Sequence, residues 1–232
     1  MKKSTIAAIQ QHAEACYPRE SCGFVIVHKG REKYLPCENH STEDAEFELS
    51  ADDWMRAEDM GEISHIVHSH PNTPPEPSDA DKVGIEASGV PWLIVNWPTG
   101  LWKIHGPTGY VAPLVGREYV YGVFDCFTLA RDWYERERGI KLDIPPQWWK
   151  EGDTALIQHF REAGFSEVSG DLRPGDGLLF DISGGPHCAV YLGDDLILHH
   201  VRGRLSSRDV YGPIWRQHLI KHLRYTAHKA VF

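Results

Sequence analysis

Two groups of side chains have types and spacings suited to chemistry. The first is His68-Ser69-His70-Pro71, followed by Ser78 and Asp81. Histidines two apart at a strand end point to one side. Ser78 and Asp81, three apart near a helix start, share a helix face. Two imidazoles and one carboxylate form the ligand set of a catalytic zinc, with a fourth position left for water. That chemistry needs a base that is not a ligand. Glu20, in Pro18-Arg19-Glu20-Ser21-Cys22-Gly23-Phe24, is the candidate: it precedes an apolar strand, where a carboxylate is costly unless it has a task. A bare His-x-His is more often a polar loop. The full spacing H-x-H-x7-S-x2-D, with Glu-Ser-Cys-Gly upstream, is what marks a site. His65 lies outside that spacing and reads as structural or surface.

The second group centres on Asp125-Cys126. A cysteine in the first turn of a helix feels the positive end of the dipole and free N–H groups, both of which favour thiolate. A nearby histidine can take its proton. His187 and His199 are the candidates. If the chain turns at Gly193–Asp195, residues 189 and 199 pair, and the two histidines lie diagonally on one sheet face. A slip of one residue would separate them. His200 is then the surface neighbour on the other face, and Asp125 is a helix cap rather than an acid. Trp148 and Trp149 read as a packed loop anchor, or alternatively as a groove wall.

These residues need elements to hold them. The pattern predicts a helix over Thr5–Tyr17 and a strand over Phe24–His28. Ser50 caps a helix over Ala51–Met60 that stops at Gly61. A strand over Ile63–His68, a Ser78-capped helix over Asp79–Ala87 and a hairpin of Trp92–Trp97 with Leu101–Ile104 follow. Gly106–Val115 reads as an interdomain linker. Beyond it come helices over 125–138 and Thr154–Ala163, then strands Gly177–Asp181, His187–Leu192 and Leu196–Val201. Helices before strands indicate an α+β domain. The expected division is 1–108, a linker at 109–113, and 114–232.

Composition narrows the classes. The 232 residues carry 24 basic against 33 acidic side chains, a net charge of −9, which argues against nucleic acid as the partner. No apolar run approaches the roughly 20 residues of a membrane span. The N-terminal apolar stretch turns polar at Gln10, too early for a signal peptide. Five cysteines at irregular spacing are no disulfide framework and fit a reducing compartment, with Cys126 as working thiol and the others as packing.

E-S-C-G…H-S-H-P-x6-S-x2-D resembles the JAMM motif of JAB/MPN metalloproteases, over roughly residues 1–108. The resemblance implies a cytidine-deaminase-like α/β domain, Zn2+ on His68, His70 and Asp81, Glu20 as catalytic base, Ser78 as oxyanion helper, and (iso)peptide hydrolysis. Asp125-Cys126, Pro174-Gly175-Asp176 and His187-Cys188-Ala189-Val190-Tyr191-Leu192-Gly193 resemble NlpC/P60 cysteine peptidases, over about 114–232. This implies a papain-like α+β domain with nucleophile Cys126, base His187, His199 orienting the imidazole, and peptidoglycan stem peptides as substrate. The usual D-C-S-G reads Asp125-Cys126-Phe127-Thr128, and the family's oxyanion tyrosine falls on Tyr119 or Tyr121. Both domains in so short a chain resemble the tail-tip assembly proteins of lambda-like phages. That implies a bifunctional hydrolase in the bacterial host cytoplasm during tail assembly or at the virion tail tip, with tail-tip proteins as partners. An assembly protein that keeps the two folds for docking is the alternative.

Overall fold

Strand β1 (Cys22–His28) sends Phe24 and Ile26 to one side and Val25 to the other, and all three are buried. Such two-sided burial requires cover on both faces of a sheet. The computed structural model, which describes residues 1–142, 153–182 and 185–226, supplies it. The chain divides into two units, Met1–Val111 and Ala112–Phe232.

The first unit runs α1 (Lys3–Cys16), β1, β2 (Arg31–Cys37), α2 (Ala51–Met60), β3 (Glu62–Pro71), α3 (Asp79–Ser88), β4 (Trp92–Trp97) and β5 (Trp102–His105). Its sheet order is β2-β1-β3-β4-β5. The β3–β4 pair is parallel and the others antiparallel. Ile9 and Ala13 of α1 pack on Val25, Val67, Leu93 and Val95. Ala57 of α2 and Ile85 of α3 pack on Phe24, Ile26, Ile66 and Trp92 across the other face. The sequence pattern did not predict β2, because Arg31–Cys37 is polar and contains Pro36. It is an edge strand, where proline is tolerated. Gly23 explains itself here: a Cβ on it would lie 2.4 Å from the Leu35 carbonyl oxygen of β2.

The second unit runs α4 (Cys126–Arg138), α5 (Asp153–Glu162), β6 (Phe165–Glu167), β7 (Gly177–Ile182), β8 (Gly185–Gly193), β9 (Leu196–His199), β10 (Ser207–Val210), α6 (Pro213–Gln217) and β11 (Leu219–Tyr225). The sheet order is β10-β9-β8-β7-β11-β6, paired antiparallel. Phe127, Leu129, Tyr134 and Phe160 from α4 and α5 cover one face against Leu179, Val190 and Leu198. Tyr211 and Trp215 cover Leu178, Phe180, Ala189 and Ile197 on the other. The molecule is thus mixed α and β, as the patterning indicated. Ala189 pairs with His199, the register that a turn at Gly193–Asp195 requires. Strands β6, β10 and β11 were not predicted: β6 and β10 are short edges, and Leu219–Tyr225 lacks clean alternation. Trp148 and Trp149 lie outside the described residues.

Asp176, in the turn before β7, ties that strand to β11. It accepts hydrogen bonds of 2.7 Å from His222 Nε2, from Arg224 Nε and Nη2, and from the Arg173 amide. Burial would raise its pKa, but these donors outweigh it and hold the carboxyl below its ordinary range. Its stabilising contribution is therefore present above the unfolded value near 3.8 and lost as pH falls through the lower folded value. Asp176→Ala should lower unfolding stability by about 3 kcal/mol at pH 7. Denaturant titration of the two proteins at pH 7 and pH 2.5 checks this, and the gap should narrow at the lower pH.

Candidate active sites

Strand β3 ends in His68 and His70, and parallel β4 fixes that end: His68 lies beside Ile94 and His70 beside Asn96. Buried Asn96 donates to the carbonyls of His70 at 3.3 Å and Thr73 at 2.6 Å. The chain then returns through the proline-rich loop to α3. Ser78 caps that helix: its Oγ accepts from the Asp81 amide at 3.0 Å, and Asp81 Oδ2 accepts from the Ser78 amide at 2.8 Å. This reciprocal box aims Asp81 at the histidines. His68 Nε2 is 3.0 Å from His70 Nε2 and 3.3 Å from Asp81 Oδ1, and His70 Nε2 is 3.3 Å from Asp81 Oδ2.

Three donor atoms at these separations can hold a metal ion. A tetrahedral metal with bonds of about 2.0–2.1 Å has edges of about 3.3–3.4 Å between its ligands, so the spacing suits zinc. The Pro74 carbonyl lies 3.0 Å from His70 Nδ1. It accepts that N–H and leaves the Nε2 lone pair for the cluster. Phe47 stacks on the His68 ring at 4.6 Å, and Trp92 meets its edge at 5.5 Å. Burial alone would raise Asp81, but attraction to His68 and hydrogen bonds from both histidines and the Ser78 amide hold it well below the carboxylate range. For His70, burial works downward, yet the bonds to Asp81 and Pro74 leave its pKa raised.

Glu20 stands just before β1. Cys22 pairs with His68, and the Ser69 amide donates to the Ser21 carbonyl, so continuing the register sets Glu20 across from His70. Its backbone is clasped by the loop before α2: the Glu20 amide donates to the Asp44 carbonyl, and Asn39 Nδ2 donates to the Glu20 and Glu46 carbonyls at 3.0 and 2.9 Å. Burial pushes the Glu20 carboxyl up to about 7, against the pull of His68 and His70. Asn39, Phe47 and Pro74 escaped sequence reasoning, since nothing in their spacing marks them. Ser78 is exposed and acts as a cap whose hydroxyl hydrogen remains free to donate. His65 is half-buried beside Ser64 Oγ and takes no part.

In the second unit Asp125 is wholly buried and caps α4. Its carboxylate accepts from the Thr128 amide at 2.8 Å and the Gly122 amide at 2.9 Å, and Thr128 Oγ1 accepts from the Asp125 amide at 2.8 Å. This gives the departure at Phe127-Thr128 its reason. Thr128 closes the box, and Phe127 packs on Phe160 with ring centroids 5.4 Å apart. Cys126, the first residue of that helix, has its thiol held well below its ordinary pKa. The Cys188 side chain hydrogen-bonds it, burial opposes, and His187 and the Cys188 amide add to the lowering. The Cys188 thiol moves the other way, raised by burial and by Cys126.

The His187 and His199 rings lie 5.5 Å apart at 89°. His199 Nε2 is 3.1 Å from Asp209 Oδ2, a partner that sequence reasoning missed because Ser207–Val210 is a polar edge strand. Burial, then the charge of His187, pushes His199 down to about 4. The expectation that His200 lies at the surface is wrong. It is fully buried, packs 4.9 Å from the Tyr119 ring, and is pushed down to about 4 by burial. The loop from Val201 to Ser206 folds back over that face, with the Ser206 and Arg117 backbones hydrogen-bonded. Tyr119 has its hydroxyl raised by burial and by the negative charge of Cys126.

The sequence matches the prokaryotic homologs of the JAB domain over residues 2–105 and the NlpC/P60 family over residues 116–224. It is a two-domain protein that joins a JAB-type domain to an NlpC/P60 domain. It is 38% identical to tail tip assembly protein K of Escherichia phage N15 across 97% of this chain and 96% of that one. The namesake from Escherichia phage lambda is 36% identical, covering 78% of this chain and 92% of its own. The chain belongs to the tail tip assembly protein K family. Among solved structures, a Desulfitobacterium hafniense protein aligns over 44% of this chain and 78% of its own, at 23% identity and a TM-score of 0.38.

In the metal-free protein Glu20 titrates near 7 when folded and near 4.5 when unfolded. The folded state holds that proton more tightly, so stability falls as pH rises from about 4.5 to 7. Glu20→Gln should match the parent at pH 4 and exceed it at pH 8 by up to about 3 kcal/mol. Unfolding titrations in chelator measure the difference, and a gap that does not change with pH refutes the assignment.

Proposed function

We propose that this protein is a bifunctional hydrolase of the phage tail tip. In this reading the N-terminal domain is a zinc-dependent (iso)peptidase, and the C-terminal domain is a Cys–His endopeptidase for peptidoglycan stem peptides. It would work in the host cytoplasm during tail assembly, at the tail tip during wall penetration, or both, with tail-tip proteins as partners.

The observation that carries the reading is Cys126. A thiol in the first turn of a capped helix, hydrogen-bonded by His187 and Cys188 and lowered in pKa, is poised as a nucleophile. Cys126 Sγ would attack the scissile carbonyl carbon. His187, carrying the thiol's proton, would return it to the leaving amine, and water would then hydrolyse the thioester with His187 as base. His199 would orient the His187 ring.

In the N-terminal domain His68, His70 and Asp81 would hold zinc. Bound there, zinc supplies a Lewis acid that polarises a carbonyl and acidifies water. Glu20, buried and titrating near 7, is matched to accept a proton and pass it to the leaving nitrogen. Ser78 would donate its hydroxyl hydrogen to the substrate oxygen.

Defined muropeptides incubated with the purified protein test the C-terminal assignment. Cleavage should survive chelator and vanish with a thiol blocker or Cys126→Ala. Bound zinc, read by elemental analysis, should be stoichiometric in the parent and lost in His68→Ala. If phage lacking the wild-type protein are rescued by Glu20→Ala combined with Cys126→Ala, the folds serve assembly and not catalysis.

A further inference from the structure

We propose that Asp209 is a positioning residue of the thiol site: by accepting the Nε2–H of His199 it fixes that ring's tautomer, and through it the nitrogen that His187 turns to Cys126. The inference rests on the reading of Cys126 as nucleophile.

Asp209 lies on β10, the edge strand beside β9, and Ser207 of β10 pairs with His199. Its Oδ2 sits 3.1 Å from His199 Nε2. Its other oxygen accepts from the Ser207 hydroxyl at 2.9 Å, and Arg204 Nη2 approaches Oδ2 at 3.3 Å. Burial works upward on this carboxyl, but Ser207, His199 and Arg204 outweigh it and keep it ionised. His199 is 1% exposed, and the Trp215 ring lies 4.5 Å from it. The groups facing His199 are therefore His187 on β8, Ser207 and Asp209 on β10, Arg204 in the preceding loop and the indole of α6. Asp209 is the acidic group among them.

A neutral imidazole has one donor and one acceptor nitrogen. With Nε2–H given to the carboxylate, His199 Nδ1 carries a lone pair. Two ring nitrogens of this pair are buried without a partner: His199 Nδ1 and His187 Nε2. The rings lie 5.5 Å apart without a hydrogen bond between these atoms, and the two are complementary when His187 carries its proton on Nε2. His187 Nδ1 is then left bare to take the thiol proton. Without the carboxylate, His199 can carry its proton on Nδ1. Two N–H groups would then oppose each other, and His187 would be driven to the tautomer that presents N–H to an un-ionised thiol. Loss of a tautomer-setting carboxylate of this kind acts on turnover and not on substrate binding.

The test uses the full-length protein and three readouts. Long-range proton–nitrogen correlation spectra of the histidine rings should show His199 as the Nε2–H form in the wild type and not in Asp209→Asn. Iodoacetamide alkylation of Cys126, followed by mass spectrometry across pH, should slow tenfold or more at pH 7 in Asp209→Asn, with its profile moved to higher pH. On muropeptides kcat should fall tenfold or more with KM within twofold, and Asp209→Glu should recover part of the loss. An Nδ1–H His199 in the wild type overturns the proposal without any variant, and so does an Asp209→Asn alkylation profile that coincides with the parent. If the wild type cuts no muropeptide, the peptidase reading fails, and the spectra and alkylation alone decide the role of Asp209.

Discussion

Both candidate sites hang on the same local device, a helix N-terminus closed by a reciprocal capping box. Ser78 and Asp81 close α3, and Asp125 and Thr128 close α4. A box of this kind satisfies amides that would otherwise be orphaned in the first turn and fixes the angle at which the chain enters the helix. It also fixes what the first turn presents. In α3 the capping carboxylate is itself the group that meets His68 and His70. In α4 the cap stays behind and Cys126 is presented beside it. Every other element of each site is placed relative to that turn: the end of β3 in one unit, β8 and β9 in the other.

Burial then separates groups of like chemistry into unlike roles. Glu20 and Asp81 are both buried carboxyls, yet one is raised to about 7 and the other is held far below the ordinary range. The difference lies in donors. Asp81 has two imidazoles and an amide at hydrogen-bond distance, whereas desolvation is the dominant influence on Glu20. Cys126 and Cys188 divide in the same way. Both are in the core, but Cys126 has the helix end and His187. Carboxyls pushed apart in this manner are how one pocket holds an acid and a base together.

Much of this was legible in the residues. Ser50, Ser78 and Asp125 announced three helix starts because each is a capping residue type standing just before a helical pattern. Gly61 marked a stop. The register that pairs Ala189 with His199 followed from Gly193-Asp194-Asp195, where Asp194 and Asp195 adopt left-handed backbone. What escaped were elements whose side chains carry no period. Strand β2 is polar and contains proline, and β10 is Ser-Arg-Asp-Val. These edge strands are held by backbone bonds, so the pattern has little to report. His200 was misplaced for a related reason. A strand's second face reads as solvent unless a distant segment covers it, and here the Tyr119 ring packs on His200 from far back in the chain.

The two sites differ in how much chain they draw on. His68, His70 and Asp81 come from one strand–loop–helix segment, so that cluster can form from neighbouring residues as soon as the segment meets β1. The thiol site takes Cys126 from α4, His187 from β8, His199 from β9 and Asp209 from β10. Contacts so far apart in sequence come late, after costly loop closure. A chain emerging from the ribosome therefore carries Cys126 without the Cys188 and His187 contacts that lower its thiol, and gains them only when β8 docks against α4. The acidity of this thiol is thus a property of the assembled sheet and helix together, and α4 alone does not carry it.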